Sequence, residues 1–111
     1  MLHTMKLLPV PFAMIKNGKK TIELRLFDEK RQRIRVGDDI VFINTESGEK
    51  LTKSVVELHR FHSFAELYKA LSLLQCGYTA ENINKACPAD MEEYYSVADQ
   101  NQYDVVGIEF R

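Results

Sequence analysis

The sequence has few of the residues that build disulfide-bonded, metal-binding or membrane-spanning folds. Its two cysteines form no C-x-x-C motif, and its three scattered histidines supply no ligand set at zinc spacing. No apolar run approaches the roughly 20 residues that a membrane helix requires. The N-terminus also lacks the charged-then-apolar pattern of a secretion signal. We therefore expect a cytoplasmic protein with two reduced, buried thiols, Cys76 and Cys87, and with no metal, cofactor or membrane association.

An excess of either charge is also lacking. The chain carries 15 basic and 16 acidic residues, for a net charge of −1. A near-neutral chain is not a strong nonspecific binder of nucleic acid, although it can still hold a local basic groove. Its 111 residues suit one domain, which spans residues 1–111. A domain of this size buries about two thirds of its unfolded surface and needs no cross-links.

What the chain does contain is a series of short strands separated by turn signals. Alternating or continuous apolar residues predict five strands, at residues 3–8, 21–26, 40–43, 51–61 and 103–110. A two-turn helix is predicted at residues 11–17, where Pro11 suits the first turn and Gly18 follows the end. This order favours an α+β fold, a small and mostly antiparallel β-barrel decorated with short helices.

Most of the predicted helices lie in one insertion before the last strand. Ser63 with Glu66 forms a capping box, and apolar residues then recur at helical spacing until Gly77. Two shorter helices are predicted after Thr79 and Asp90, followed by a loop over residues 99–102. Within the last strand, Gly107 indicates a bulge or the close approach of another segment.

The stretch Gly18–Arg25 concentrates chemically useful residues. Thr21, Glu23 and Arg25 alternate with apolar residues, so they share one face of a strand, and Lys20 stands just before it. Arg25 offers a planar fork for phosphate or carboxylate. Glu23 can accept from a base amino group or carry a proton, and crowding among charges shifts the pKa of a lysine. The alternative is that Glu23 and Arg25 are surface charges in cross-strand pairs worth about 0.2–1 kcal/mol each.

A second basic segment follows at residues 28–35. If its end is extended, Arg31, Arg33 and Arg35 lie on one side and form a stripe that tracks phosphates. The alternative is a solvated loop whose acidic start neutralises its basic end. The exposed or buried state of Tyr94 and Tyr95 is similarly open, because such a pair either stacks on a base or packs on the core with its hydroxyls at the rim.

The residues Gly18, Lys20, Glu23 and Arg25 match a G-x-K-x-x-E-x-R pattern that resembles the signature of the ASCH domain family, within the PUA-like superfamily. The segments at residues 25–31, 36–40, 94–96 and 105–109 also resemble that family, so the likeness covers nearly the whole chain. The resemblance implies a single ASCH domain with a PUA-like β-barrel and a cleft between barrel and helices that holds the motif.

The resemblance also implies a ligand, since the family is thought to bind RNA or modified nucleosides. Gly18, Lys20, Glu23 and Arg25 would then line the binding pocket, and Arg31 and Arg33 would follow an RNA backbone. The first hypothesis is therefore an RNA- or nucleotide-binding protein whose partner is RNA, a nucleoside or a nucleotide.

An alternative hypothesis is a small amidohydrolase that acts on an acylated nucleoside such as acetylcytidine. One branch of the family uses a Lys, a Thr and a Glu for this reaction. Lys20 matches that Lys, whereas Glu23 stands in the place of the Thr and Thr21 lies nearby. In this hypothesis Lys20 orients or deprotonates the nucleophile, which is water or Thr21, and Glu23 carries the proton. A protein-interaction role would need a surplus of apolar residues on the helices, which the sequence does not show.

Overall fold

Apolar residues at every second position form a curled sheet in the computed structural model, which describes residues 1–111. Its five strands are β1 (Leu2–Leu7), β2 (Ile22–Leu26), β3 (Asp39–Asn44), β4 (Lys50–Phe61) and β5 (Val105–Phe110). They lie in the order β1-β3-β4-β5-β2, so β1 and β2 are the two edges of a half-barrel. Only the β1–β3 pair is parallel, and the other three are antiparallel. The α+β, mostly antiparallel barrel-like fold is therefore confirmed.

Three α-helices and three short 3₁₀ helices decorate this sheet. The α-helices are α1 (Pro9–Lys16), α2 (Phe64–Ala70) and α3 (Val97–Tyr103), and the 3₁₀ segments are Arg31–Arg33, Ile83–Lys85 and Pro88–Glu93. Helix α1 ends before Gly18, whose φ of +82° suits glycine. As predicted, the Ser63 side chain caps α2 by accepting from the Glu66 amide at 3.3 Å.

The helical predictions were wrong in several places, and the short helices predicted after Thr79 and Asp90 are the 3₁₀ segments Ile83–Lys85 and Pro88–Glu93. Helix α2 ends at Ala70 instead of near Gly77, because Leu71 adopts an extended backbone (φ −104°, ψ 154°) and packs toward β5. Residues 99–102, predicted as a loop, lie in α3. The Ser96 hydroxyl begins that helix by accepting from the Asp99 amide at 3.1 Å. This Ser-x-x-Asp spacing is a local helix signal that hydrophobic periodicity does not contain.

The interior is divided into two apolar clusters that meet along β5. The barrel core fills the inside of the half-barrel and consists of Met5, Leu7, Phe12, Ile15, Ile34, Ile40, Phe42, Val55, Val106, Ile108 and Phe110. The helix-side core packs under α2 and consists of Ile22, Leu24, Leu26, Phe64, Leu67, Tyr68, Cys76 and Val105. The apolar face predicted for β2 therefore faces the helices, and that predicted for β5 faces the barrel interior.

Gly107 shows why β5 requires a residue without a side chain on its helix-side face. A Cβ atom there would stand 2.8 Å from Leu71 Cδ1 and 3.2 Å from Ile22 Cγ2. The predicted close approach is thus confirmed, whereas the irregularity in strand pairing lies in β4 between Val55 and Glu57. Helix-side packing therefore depends on the bare backbone of β5.

No helix in the structure is long and apolar enough to cross a membrane. No group of three His, Cys, Asp or Glu side chains is placed to hold a metal ion. Of the two cysteines, both free, Cys76 is buried as predicted, but Cys87 is exposed because it caps a surface 3₁₀ segment.

Candidate functional site

Strand β2 carries charged residues on its second face, and that face is also buried. Glu23 is 5% exposed and Lys20 is 9% exposed. Glu23 Oε1 lies 2.8 Å from Lys20 Nζ, and Glu23 Oε2 lies 2.8 Å from Arg25 Nη2. The interpretation of Glu23 and Arg25 as exposed cross-strand charges was therefore wrong, because α1 and the segments around Gly77 and Tyr95 cover this face. We call Lys20, Glu23 and Arg25 the ionic triad.

Backbone contacts fix Lys20 at the junction between α1 and β2. Its amide donates to the Met14 carbonyl at 3.0 Å, and the next two amides, of Thr21 and Ile22, both donate to the Gln75 carbonyl. The Lys20 side chain then runs along Gly77, which has a φ of +111°. A Cβ atom at Gly77 would stand 3.3 Å from Lys20 Cδ and 3.5 Å from its Nζ, so the absence of a side chain makes room for the lysine.

Arg25 connects the two free edges of the half-barrel. Its Nε and Nη2 donate to Glu23 Oε2 at 3.2 and 2.8 Å. The same Nη2 donates to the Lys6 carbonyl at 3.2 Å, and Lys6 belongs to β1, at the opposite edge of the sheet from β2. A single guanidinium thus joins the triad to both edge strands.

The triad holds one positive charge in excess. Burial by itself would raise the pKa of Glu23, but the adjacent Lys20 and Arg25 charges outweigh burial and lower it. Burial opposes the charge of Arg25 too, yet Glu23 raises the pKa of the guanidinium overall. Glu23 is therefore an ionised carboxylate between two cations, and the net charge of the group favours an anionic or electron-rich ligand atom.

The triad forms the floor of a cleft with a volume of about 620 Å³, within the range of small-ligand sites. Its apolar lining includes Leu8, Val10, Met91 and Tyr94. Leu8, Val10 and Tyr94 are 62%, 71% and 64% exposed, so the mouth of the cleft presents apolar surface among polar side chains while the floor is charged. Such a site suits a ligand with a flat apolar body and a polar edge. Of the two tyrosines left open by the sequence, Tyr94 is exposed, whereas the partly buried Tyr95 stacks on Phe64 at the rim of the helix-side core and also lines the cleft.

A chain of three polar side chains forms another wall of the cleft. The Tyr68 and Tyr78 hydroxyls lie 2.7 Å apart, and Tyr78 donates to Asp90 Oδ2 at 2.7 Å. The hydrogen bond from Tyr78 is the main reason that the pKa of Asp90 is lowered, while burial raises that of Tyr78. The sequence pattern indicated only a core position for Tyr68 and a helix cap for Asp90, so this polar chain was not predicted. No local signal joins residues from three separate segments.

A buried thiol also lines the cleft beside Lys20. Burial raises the pKa of Cys76 to about 11, and the nearby Lys20 only partly offsets this. A thiol needs to be ionised to act as a nucleophile. Cys76 is therefore protonated near neutral pH and serves as an apolar wall.

The predicted site residues are divided between three places. Lys20, Glu23 and Arg25 come together in the cleft, as the motif implied. Gly18 and Thr21 line a second, smaller depression of about 340 Å³, and Lys20 forms part of the wall of both cavities. Arg31 and Arg33 lie in a 3₁₀ segment outside the cleft.

The predicted stripe of Arg31, Arg33 and Arg35 was wrong because this segment is not extended. Asp28 accepts from the Arg31 amide at 3.1 Å and from its Nη1 at 3.0 Å, and this contact turns the chain into a 3₁₀ helix. Arg33 is exposed at the surface. Asp28 thus pairs with Arg31, as the alternative interpretation held in part, but the segment is a 3₁₀ helix instead of a solvated loop and the Arg31 side chain is largely buried.

A half-barrel whose edge strand and covering helices enclose a cleft defines this molecule as a PUA-like domain. The model of the ASCH domain family matches residues 5–111. The chain belongs to the ASCH domain family, as its motif indicated.

Two solved structures show the same fold over the full chain. One is the crystal structure of hypothetical protein PH0355, with 31% identity and a TM-score of 0.82, covering 100% of this chain and 98% of that one. The other is the solution NMR structure of protein PF0455 from Pyrococcus furiosus, with 31% identity and a TM-score of 0.75, covering 100% of this chain and 96% of that one. The comparison with curated proteins finds no match.

Proposed function

We propose that the cleft binds a nucleotide or an unpaired base of single-stranded RNA, with Lys20 as the deepest contact. The observation that carries this proposal is the state of the Lys20 ammonium group. It is almost fully buried, it lines the cleft, and its one hydrogen-bonding partner in the protein is Glu23. An ammonium group has further N–H donors, and leaving them buried without an acceptor costs free energy. An acceptor atom of a ligand would satisfy them.

The charge of the floor supports a phosphate or a base carbonyl as that acceptor. Lys20 and Arg25 together exceed Glu23 by one positive charge. Both oxygens of Glu23 already accept from these cations, so its role is to orient them toward the ligand. Arginine and lysine side chains beside one carboxylate form a preorganised set of donors.

The walls of the cleft support a planar ligand. Tyr94 is exposed at the mouth, where a base could stack on its ring. Proteins that recognise RNA by sequence usually take unstacked bases into such pockets. The ASCH family is also often linked to RNA binding.

Hydrolysis of an acylated nucleoside is supported less well by the same geometry. A proton carrier works best with a pKa near the working pH, and the cations lower that of Glu23. Thr21 lines the second depression instead of the cleft. The buried Cys76 thiol is protonated and offers no replacement nucleophile.

The test is the binding of a fluorescent single-stranded RNA of about eight nucleotides, measured by anisotropy at two salt concentrations. We expect Lys20→Met to weaken binding about tenfold or more, because the buried donors are lost. Lys50→Met is the matched control, since Lys50 is an exposed lysine outside the cleft and its removal changes the net charge equally. We expect it to change affinity by less than about twofold. Circular dichroism verifies that each variant is folded.

Two results would overturn this function. One is the absence of salt-sensitive binding to RNA at micromolar protein. The other is turnover of acetylcytidine by the wild type that disappears in Lys20→Met, followed by chromatography, which would establish the amidohydrolase instead.

A further inference from the structure

The chain from Tyr68 through Tyr78 to Asp90 has one consistent order of donors. Asp90 is an ionised carboxylate and can only accept, so the single hydroxyl proton of Tyr78 points to Asp90. Tyr68 must then donate its own proton to Tyr78, at 2.7 Å. The oxygen of Tyr68 is left as an acceptor, and no protein donor contacts it. Tyr68 is 9% exposed and lines the cleft, so a ligand in the cleft can reach this acceptor.

The donors of Lys20 line the same cleft as this acceptor. The Lys20 side chain runs along Gly77, which directly precedes Tyr78, the partner of Tyr68. The cleft therefore presents two buried groups of fixed character, since Lys20 has N–H donors beyond its contact with Glu23 and the Tyr68 oxygen has no protein donor. Neither group can exchange its role, because Lys20 can only donate and Asp90 sets the direction of the tyrosine chain.

We infer that Lys20 and Tyr68 together read an acceptor next to an N–H group, which is the pattern on the Watson–Crick edge of an unpaired base. This inference rests on the proposed nucleotide- or RNA-binding function and assigns Tyr68 as the residue that selects the ligand. The acceptor of the base lies on Lys20 and its N–H on the oxygen of Tyr68. A base whose N–H is replaced by N–CH₃ leaves the buried oxygen of Tyr68 unpaired and is rejected. A base in a duplex is excluded for the same reason, since its edge is already bonded.

The experiment compares the binding of two oligouridines of equal length, one unmodified and one in which each base is 3-methyluridine. The two RNAs have the same phosphates, so charge contributes equally to both and the difference reports the base edge. An equivalent pair is oligocytidine and its N4,N4-dimethyl form. We expect the wild type to prefer at least one unmodified RNA by about tenfold or more. In Tyr68→Phe, which removes the acceptor but keeps the ring, the preference falls to within about twofold.

A second variant tests the direction of the chain. In Tyr78→Phe the hydroxyl that accepts the Tyr68 proton and donates to Asp90 Oδ2 is lost while the ring is kept. The Tyr68 hydroxyl then has no protein acceptor and is free to turn its proton toward the cleft. We expect the preference for unmodified RNA to fall toward that of Tyr68→Phe, and a preference that stays at the wild-type value would contradict the assigned direction of the chain.

The outcomes separate this inference from the function on which it rests. If the wild type binds neither RNA of either pair, the proposed function fails and the inference fails with it. If it binds both members of each pair equally, only the inference fails. If Tyr68→Phe keeps the full preference, the methyl group is excluded by its size and not by hydrogen bonding, and the inference is again overturned.

Discussion

The barrel core and the helix-side core are both well buried, but they differ in what borders them. The barrel core contains only aliphatic, methionine and phenylalanine side chains and has no polar side chain. The helix-side core includes a tyrosine and a thiol, and three further tyrosines pack at its rim. The cleft lies beside the helix-side core, where Tyr68, Tyr78, Tyr95 and Cys76 line it. An apolar sheet interior thus supports the fold, while the mixed packing beside it supplies the groups that can meet a ligand.

The helix-side core is also held together differently. Its helices are short, so many of their backbone N–H and C=O groups lie at helix ends and have no partner within the helix. Side chains form hydrogen bonds with some of these backbone groups. Gln100 is the main example, because its Oε1 accepts from the Phe64 amide at 3.1 Å and its Nε2 donates to the Tyr95 carbonyl at 3.2 Å. Gln100 is 6% exposed. Stability on this side therefore depends on a few buried polar groups, each of which can be removed.

The largest effect is expected from removing the carboxylate of the ionic triad. Glu23→Ala leaves Lys20 and Arg25 buried with no counter-charge, and it should lower the free energy of unfolding by about 3–5 kcal/mol. Urea denaturation measures this change. Glu109→Ala is the control, because Glu109 pairs with His59 at a partly exposed position. We expect Glu109→Ala to lower the free energy of unfolding by less than about 1 kcal/mol. If Glu23→Ala lowers it by no more than Glu109→Ala does, the triad is not a buried unit.

Acid should weaken the same group by a smaller amount. The pKa of Glu23 is lowered from 4.5 in the fold, so its ionised form stabilises the protein above that pH. This contribution is lost as pH falls below 4.5 and through the folded-state value. The loss is smaller than in Glu23→Ala because a protonated carboxyl still accepts hydrogen bonds. Unfolding free energies measured from neutral pH downward should decline less steeply in Glu23→Gln than in the wild type.

A second carboxylate, Asp38, also contributes to acid sensitivity, but its contribution cancels when the wild type is compared with Glu23→Gln. The hydrogen bond with His3 is the main reason that the pKa of Asp38 is lowered from 3.8 to about 2. Its contribution is lost between those two pH values in both proteins, so it cancels in the difference. Parallel pH profiles for wild type and Glu23→Gln would contradict the assignment of a lowered pKa to Glu23.

An intermediate effect is expected in the helix-side core at Gln100. Gln100→Ala leaves the buried Phe64 amide without an acceptor and should cost about 1–3 kcal/mol. Hydrogen exchange at the Phe64 amide should accelerate together with the fall in stability measured in urea. Asn101→Ala, at an exposed position on the same helix, should stay within about 0.5 kcal/mol of the wild type. If both variants behave alike, side-chain hydrogen bonds do not hold this side of the molecule.

The smallest effect is expected at the surface. Lys16 and Glu49 form an ion pair whose side chains are 57% and 44% exposed. Lys16→Ala should change the free energy of unfolding by less than about 1 kcal/mol, since solvent screens such pairs. A salt series separates this pair from the triad, because the stability of Lys16→Ala and of the wild type should converge as salt rises. A difference that persists in high salt would mean that Lys16 also contributes through packing.

Several features of the fold and the site followed from local sequence. Alternating apolar residues predicted the strands, and a Ser63–Glu66 spacing predicted the start of α2, because these features depend on backbone periodicity and on contacts within one turn. The spacing of Lys20, Glu23 and Arg25 placed them together for the same reason, since they lie within six residues of one another at the start of one strand. The family signature added that they line a cleft.

Only the tertiary structure decided how these residues are used. Alternation predicted that Glu23 lies opposite the apolar face of β2, but not that α1 and the segment around Gly77 would cover it, because burial depends on elements distant in the chain. The order of donors from Tyr68 to Asp90 arises in the same way, from three segments whose contacts have no sequence periodicity. The sequence by itself therefore determined which charges share a strand, and long-range packing determined that they are buried, paired and turned toward a ligand.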